Sequence, residues 1–283
     1  MKIIVGRDDL AAAAREAIDG TGAQVERVAV KPVHKASAGF VNDGSVDLCE
    51  LAIVTLLQAV AAGKPVLLLP VVTLARAQHQ TLVTLDPSLG PAEVEGRTVG
   101  VRSWSQTTGV WVRGFLSRQY GVNLRNVDWI TYEGAHVDGF QDPVWVRRAP
   151  AGVKLPDDFL AGTVDFAVLG NELPTDDRIR TAIPDAGEAG ARWAKEQGFV
   201  PVNHVIGVSG PAARRYPEAI CATYDAMAAL DPSAAGFDHL RAPVSLAARF
   251  AQEQGVLTRP VEFDDLVQQT CSALEVDPKR LGG

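Results

Sequence analysis

Over its first hundred residues the chain alternates between short β-type runs and helix-length segments, and this alternation constrains the fold more than any other feature. Residues 3–5 read as a strand, 9–19 as a helix, 25–30 as a strand and 35–41 as a helix; 46–48, 53–62 and 66–72 continue as strand, helix and strand. Parallel strands need a crossover, usually helical, so strands alternating with helices predict a mostly parallel sheet with helices on both faces. After Arg102 a second α/β set begins, with a helix to Gln119, a strand at 128–131, a helix near 156–160 and a strand at 166–169. The turn formers of Asp86-Pro87-Ser88-Leu89-Gly90-Pro91 mark the break between the sets. The apolar runs 80–85 and 205–208 are placed to carry the chain across and back, and 211–283 reads mostly as helices.

A chain of 283 residues suffices for two domains or one large α/β unit. With 47% hydrophobic and 22% charged residues it has the make-up of a globular protein rather than a disordered one. The net charge of −7 argues against a nucleic-acid partner, so any anionic ligand has to be drawn by local arginines. Cys49, Cys221 and Cys271 are widely spaced, which predicts neither structural zinc nor a disulfide framework. Asp8-Asp9 lacks paired ligands and is expected to cap a helix rather than hold a metal. The start Met-Lys-Ile-Ile-Val-Gly has no signal-peptide pattern, and a cytoplasmic location is expected. Gly63-Lys64-Pro65 divides the apolar stretch 51–74 into pieces too short to cross a bilayer, so no membrane partner is expected.

Residues 96–122 carry the strongest functional signal. A β-type run at 98–101 breaks into Ser103, Ser105, Thr107 and Thr108, any of which can cap the helix that follows. First-turn N–H groups have no partner within their helix and sit at its positive end, which favours a carboxylate or phosphate by roughly 0.3–2 kcal/mol. Arg102 and Arg113 stand close by in sequence to add charge.

The run Thr107-Thr108-Gly109-Val110-Trp111-Val112-Arg113-Gly114, with Tyr120-Gly121-Val122 and Asp128-Trp129-Ile130-Thr131, resembles the signature segment of the 4,5-dihydroxyphthalate decarboxylase family. Three further blocks resemble that family in the same order: Asp47-Leu48-Cys49-Glu50-Leu51, the Arg-x-x-His stretch from Arg76 to Leu82, and Phe199-Val200-Pro201-Val202-Asn203-His204. Together they span residues 40–225. The chain departs from the family at Trp104-Ser105-Gln106-Thr107, where a Tyr and a Met are usual, and at Gly109, where Ala is usual. It is also shorter, chiefly after Gly134. The resemblance implies a two-lobed type II periplasmic-binding-protein-like fold with a ligand cleft between α/β lobes. Residues 1–84 and 205–283 would form the first lobe and 85–204 the second.

Decarboxylating a hydroxylated ring requires that the carboxylate be placed, the ring gain electron density and a proton reach the ring carbon. The proton carrier should have a pKa that burial and neighbours can bring near neutrality. His204, matching the family's late His, is expected to transfer that proton. Glu50, expected at the C-terminal end of a strand, would polarise a ring hydroxyl or otherwise serve the chemistry. Arg76 and His79 would grip a carboxylate with Ser105, Thr107 and Thr108. Arg7 matches an early Arg of the family, Arg113 lies on the signature helix, and Trp104, like Trp111, is of a type that stacks on an aromatic ligand. His34 and His136 read as structural or surface residues.

The resulting expectation is a decarboxylase of a hydroxylated aromatic carboxylate, without organic cofactor and with divalent-metal assistance left open. Its partner would be that small molecule, and homo-oligomerisation is open. The alternatives are a non-catalytic solute-binding protein and another lyase of the same fold, such as a chorismate dehydratase.

Overall fold

In a computed structural model, which describes residues 1–170 and 173–283, the chain forms two α/β lobes around two sheets. It opens with β1 (Lys2–Ile4), α1 (Asp8–Gly20), β2 (Glu26–Arg27), α2 (Ser37–Asp43), β3 (Leu48–Ala52), α3 (Ile53–Ala61) and β4 (Val66–Ala75). The chain then crosses into β5 (Leu82–Thr84), β6 (Thr98–Val101), α4 (Thr107–Gln119), β7 (Asp128–Thr131), β8 (Arg147–Arg148), α5 (Leu155–Leu160), β9 (Phe166–Val168), β10 (Arg180–Thr181) and α6 (Ala186–Gln197). It returns through β11 (Val202–Ser209) and ends in α7 (Gly210–Arg215), α8 (Pro217–Leu230), α9 (Phe237–Glu253) and α10 (Phe263–Leu274).

The first sheet has the order β2-β1-β3-β11-β4, and the second β10-β5-β9-β6-β7-β8. Strands β1, β2 and β3 run parallel, while β11 enters antiparallel between β3 and β4. In the second sheet β9, β6, β7 and β8 are parallel. This is the two-lobed architecture expected from the sequence. The two crossings lie side by side, since the Arg76 N–H donates to the Pro201 carbonyl at 3.0 Å.

β3 lies later than the 46–48 run suggests, which puts Glu50 inside the strand rather than after it. α6 has no counterpart in the sequence reading, although its Ala/Glu/Arg/Lys-rich run and left-handed Gly198 at the C-cap are sound helix signals.

One apolar core runs through both lobes. α3 is buried along its whole length, and it packs on both α4 and α9. α9 in turn packs closely on α4 at Gly114, where an added Cβ would lie 2.2 Å from the Phe250 ring. Among the described residues no helix is long and apolar enough to cross a membrane.

Candidate functional site

Between the lobes lies a cleft of about 240 Å³. His204 on β11, Arg76 just after β4, Arg102 just after β6 and Gly170 just after β9 reach it from strand ends. The starts of α3 and α4 contribute Ala52, Thr55, Gln106, Thr107 and Thr108. Strand ends and helix starts meet where α/β sheets commonly place ligands.

The sheet register explains how Glu50 and His204 come together. His204 stands opposite Ala52 and Ile206 opposite Glu50, so the two side chains share a face as diagonal neighbours on adjacent strands. The pairing of β11 with β4 is irregular on both sides of His204. Such bulges re-aim side chains, often next to functional sites. His204 Nδ1 lies 2.8 Å from Glu50 Oε1, and Glu50 Oε2 accepts the Gly6 N–H at 2.8 Å. Burial pushes the Glu50 carboxyl up, but the hydrogen bond and charge of His204, with the Gly6 N–H, outweigh it and hold the group below its ordinary 4.5.

This geometry revises the expectation for Glu50. The residue is 5% exposed and does not line the cleft, and its oxygens are engaged by His204 and Gly6. It is placed against the His204 imidazole and not at the cleft wall where a ring hydroxyl would lie. With Nδ1 hydrogen-bonded to the carboxylate, the imidazole can exchange a proton through Nε2.

The facing wall suits an anion. Neither α3 nor α4 has a side-chain cap: Ala52 and Gln106 occupy their N-cap positions, and Ser103 and Ser105 bond each other at 3.2 Å. The predicted hydroxyl cap of α4 is therefore not what forms. Thr107 Oγ1 instead accepts the Val54 N–H at 3.2 Å, tying the start of α4 to the start of α3. Two helix N-termini, Arg76 and Arg102 thus present positive potential to one cleft. Arg102 also pairs with Glu133 at 2.8 Å. Gly170 leaves room for Arg76, since a Cβ there would lie 3.0 Å from its Nη2.

Of the residues expected to contact the ligand, the cleft gathers His204, Arg76, Ser105, Thr107 and Thr108. It does not gather His79, Trp104, Arg113 or Arg7. His79 is fully buried, bonds Gln119 at 2.8 Å, stacks on Phe115 with ring centroids 4.2 Å apart, and is packed beneath α6. Trp104 packs edge-on against Trp129 and Trp145 and donates its indole N–H to the Gln254 carbonyl at 2.9 Å. Arg113 lies 3.7 Å over the Trp104 ring and donates to Gln254 Oε1 and the Trp104 carbonyl. Burial lowers its pKa, and its partners lie in the core rather than at the cleft. Arg7 turns to Asp9 at the surface. Gly109 is explained by the same packing, because a Cβ there would lie 2.8 Å from Val101 and 3.0 Å from Arg113 Nη1.

Two histidines expected to be structural or surface residues stand at the cleft instead. His34 and His136 both line the cleft, with ring centroids 6.4 Å apart and nearly parallel planes. Burial, then the charges of Arg102 and His34, lower the His136 pKa to about 4, against an opposing pull from Glu133. Among the described residues no group of three or more His, Cys, Asp or Glu side chains is placed to hold a metal.

No protein-family model matches the chain. It is 26% identical over 192 residues to a 4,5-dihydroxyphthalate decarboxylase of Comamonas testosteroni, covering 60% of this chain and 56% of the relative. It is 30% identical over 140 residues to a 4,5-dihydroxyphthalate decarboxylase of Pseudomonas putida, covering 46% and 54%. The chain thus spans about half the length of these curated relatives. Among solved structures, the periplasmic aliphatic sulphonate binding protein SsuA from Escherichia coli aligns with a TM-score of 0.44 at 13% identity, over 99% of this chain and 80% of that one. The alkanesulfonate-binding protein SsuA from Xanthomonas axonopodis pv. citri bound to MOPS aligns with a TM-score of 0.42 at 14% identity, over 99% and 95%. The two decarboxylases are distant relatives, which makes a decarboxylase activity a reading to test.

Proposed function

We propose that the chain is a decarboxylase acting on a hydroxylated aromatic carboxylic acid, with 4,5-dihydroxyphthalate or an analogue as substrate and no organic cofactor. The observation that carries this reading is the carboxylate-oriented imidazole of His204 at a cleft whose other wall is built from two helix N-termini and two arginines. The distant similarity to the two 4,5-dihydroxyphthalate decarboxylases supports it.

In this mechanism Arg76, Arg102 and the positive ends of α3 and α4 hold carboxylate. The protonated His204 delivers its Nε2 proton to the ring carbon that bears the departing carboxylate. A hydroxyl para to that carbon supplies electron density, and a positive charge builds on the ring. The C–C bond then breaks, its electron pair restores the aromatic ring, and carbon dioxide leaves. Net, the carboxylate and one proton become a C–H bond and carbon dioxide. Glu50 stabilises the imidazolium before transfer and fixes the tautomer after it.

The test is incubation of the protein with 4,5-dihydroxyphthalate and a panel of ortho- and para-hydroxylated aromatic acids while carbon dioxide release is followed. Turnover that disappears in His204→Ala supports the reading. Tight binding without release across the panel would leave a binding protein instead.

A further inference from the structure

The cleft carries a second imidazole that the proposed chemistry does not use. His136 lies on the segment after β7, and its Nδ1 is 3.2 Å from Thr55 Oγ1 in the first turn of α3. The segment is fastened to the other lobe through Asn42, whose Nδ2 donates to the His136 carbonyl at 2.8 Å and whose Oδ1 accepts the Asp138 N–H at 3.2 Å. Thr55 thus holds the ring and Asn42 the backbone that carries it, before any ligand arrives.

Its surroundings also select its protonation state and tautomer. Burial first, then the charges of Arg102 and His34, disfavour a second proton against the pull of Glu133, and the positive end of α3 at Thr55 acts in the same sense as burial. Of the two neutral tautomers, the one with a lone pair on Nδ1 suits a helix N-terminus, because the other would aim an N–H dipole at a positive end. Thr55 then donates to Nδ1, and the ring keeps one donor, Nε2–H.

We propose that His136 is a specificity-determining residue whose Nε2–H donates to a ring oxygen of the ligand, so that the cleft selects hydroxylated over unsubstituted aromatic acids. This rests on the aromatic-acid reading of the cleft. A neutral donor suits an oxygen substituent, whereas Arg76, Arg102 and the helix N-termini take the carboxylate charge.

Calorimetric titration of the whole protein in a His204→Ala background, where the hydroxylated acid is bound and not consumed, with 4,5-dihydroxyphthalate and with phthalate tests it. With His136 in place this protein is expected to prefer the hydroxylated acid by about tenfold, the worth of one neutral hydrogen bond. His136→Asn, whose amide can mimic only the Nδ1 position, should bring the two affinities to within about twofold. His136→Gln, which can place an N–H near the Nε2 position, should restore part of the preference. Independently of ligand, ¹⁵N-histidine NMR of the wild type should show the Nε2–H tautomer at His136. An Nδ1–H tautomer, or undiminished preference in His136→Asn, overturns the proposal. A His204→Ala protein that binds neither acid defeats the aromatic-acid reading itself, and the inference falls with it; that outcome is visible without any change at His136.

Discussion

His204 Nδ1 and Glu50 Oε1 lie 2.8 Å apart although 154 residues separate them in sequence. Glu50 meets the cleft only through the imidazole, so its loss should act on proton transfer rather than ligand binding. Glu50→Gln is expected to lower kcat by roughly 10²–10⁴-fold, the usual reach of a positioned acid–base group, and to leave ligand Kd within about threefold. Single-turnover rates beside calorimetric Kd values check this. Equal losses in both would assign Glu50 to binding.

Acid should destabilise the protein from two directions. The His136 pKa falls from 6.5 to about 4 on folding, so below pH 6.5 the unfolded chain binds the extra proton and stability declines as pH falls towards 4. Glu50, held below 4.5, contributes stability above that value which is lost as pH drops further. Unfolding free energies from denaturant titration at pH 7 and pH 4.5 should differ by up to about 2 kcal/mol more in the wild type than in His136→Gln, allowing for solvent screening of a half-buried ring. Equal pH slopes in the two proteins would refute the assignment.

Arg76 and Arg102 should carry carboxylate affinity. Replacing either with Ala is expected to weaken binding of an aromatic acid by about 10–100-fold, corresponding to roughly 1.5–3 kcal/mol for a charge-assisted hydrogen bond. Gly170→Ala, whose Cβ would crowd Arg76 Nη2, should reproduce part of the Arg76 loss with little change in thermal stability. Calorimetry beside thermal unfolding separates the two effects.

The α4–α9 contact at Gly114 and Phe250 holds the lobes through a shared core. Gly114→Ala would drive a Cβ to 2.2 Å from the ring, and overpacking of this kind costs about 1–3 kcal/mol. Pairing it with Phe250→Leu should recover stability relative to the sum of the two single changes, as expected for residues in contact. Additive losses in thermal unfolding would show that the ring moves aside without strain.

The sequence by itself determined the elements whose signals are local. The strand at Asp128–Thr131, the helix Thr107–Gln119 and the alternation that yields two α/β lobes follow from periodicity and turn formers within a few residues. Residue chemistry, together with the family resemblance, marked His204, Arg76 and the hydroxyl-rich turn as candidates. The tertiary structure alone decided which of them share a cleft. Glu50 and His204 meet because β11 enters between β3 and β4 in one register, and a shift of one residue would turn His204 to the opposite face. His79, Trp104 and Arg113 were candidates for ligand contact as well, but α6 covers the first, and Gln254 at the end of α9 holds the other two in the core. His34 and His136 carry no local signal, and only the segment fastened by Asn42 brings His136 to the cleft. Burial and long-range pairing depend on what packs against a side chain, and that is set here by residues 81 to 154 positions away.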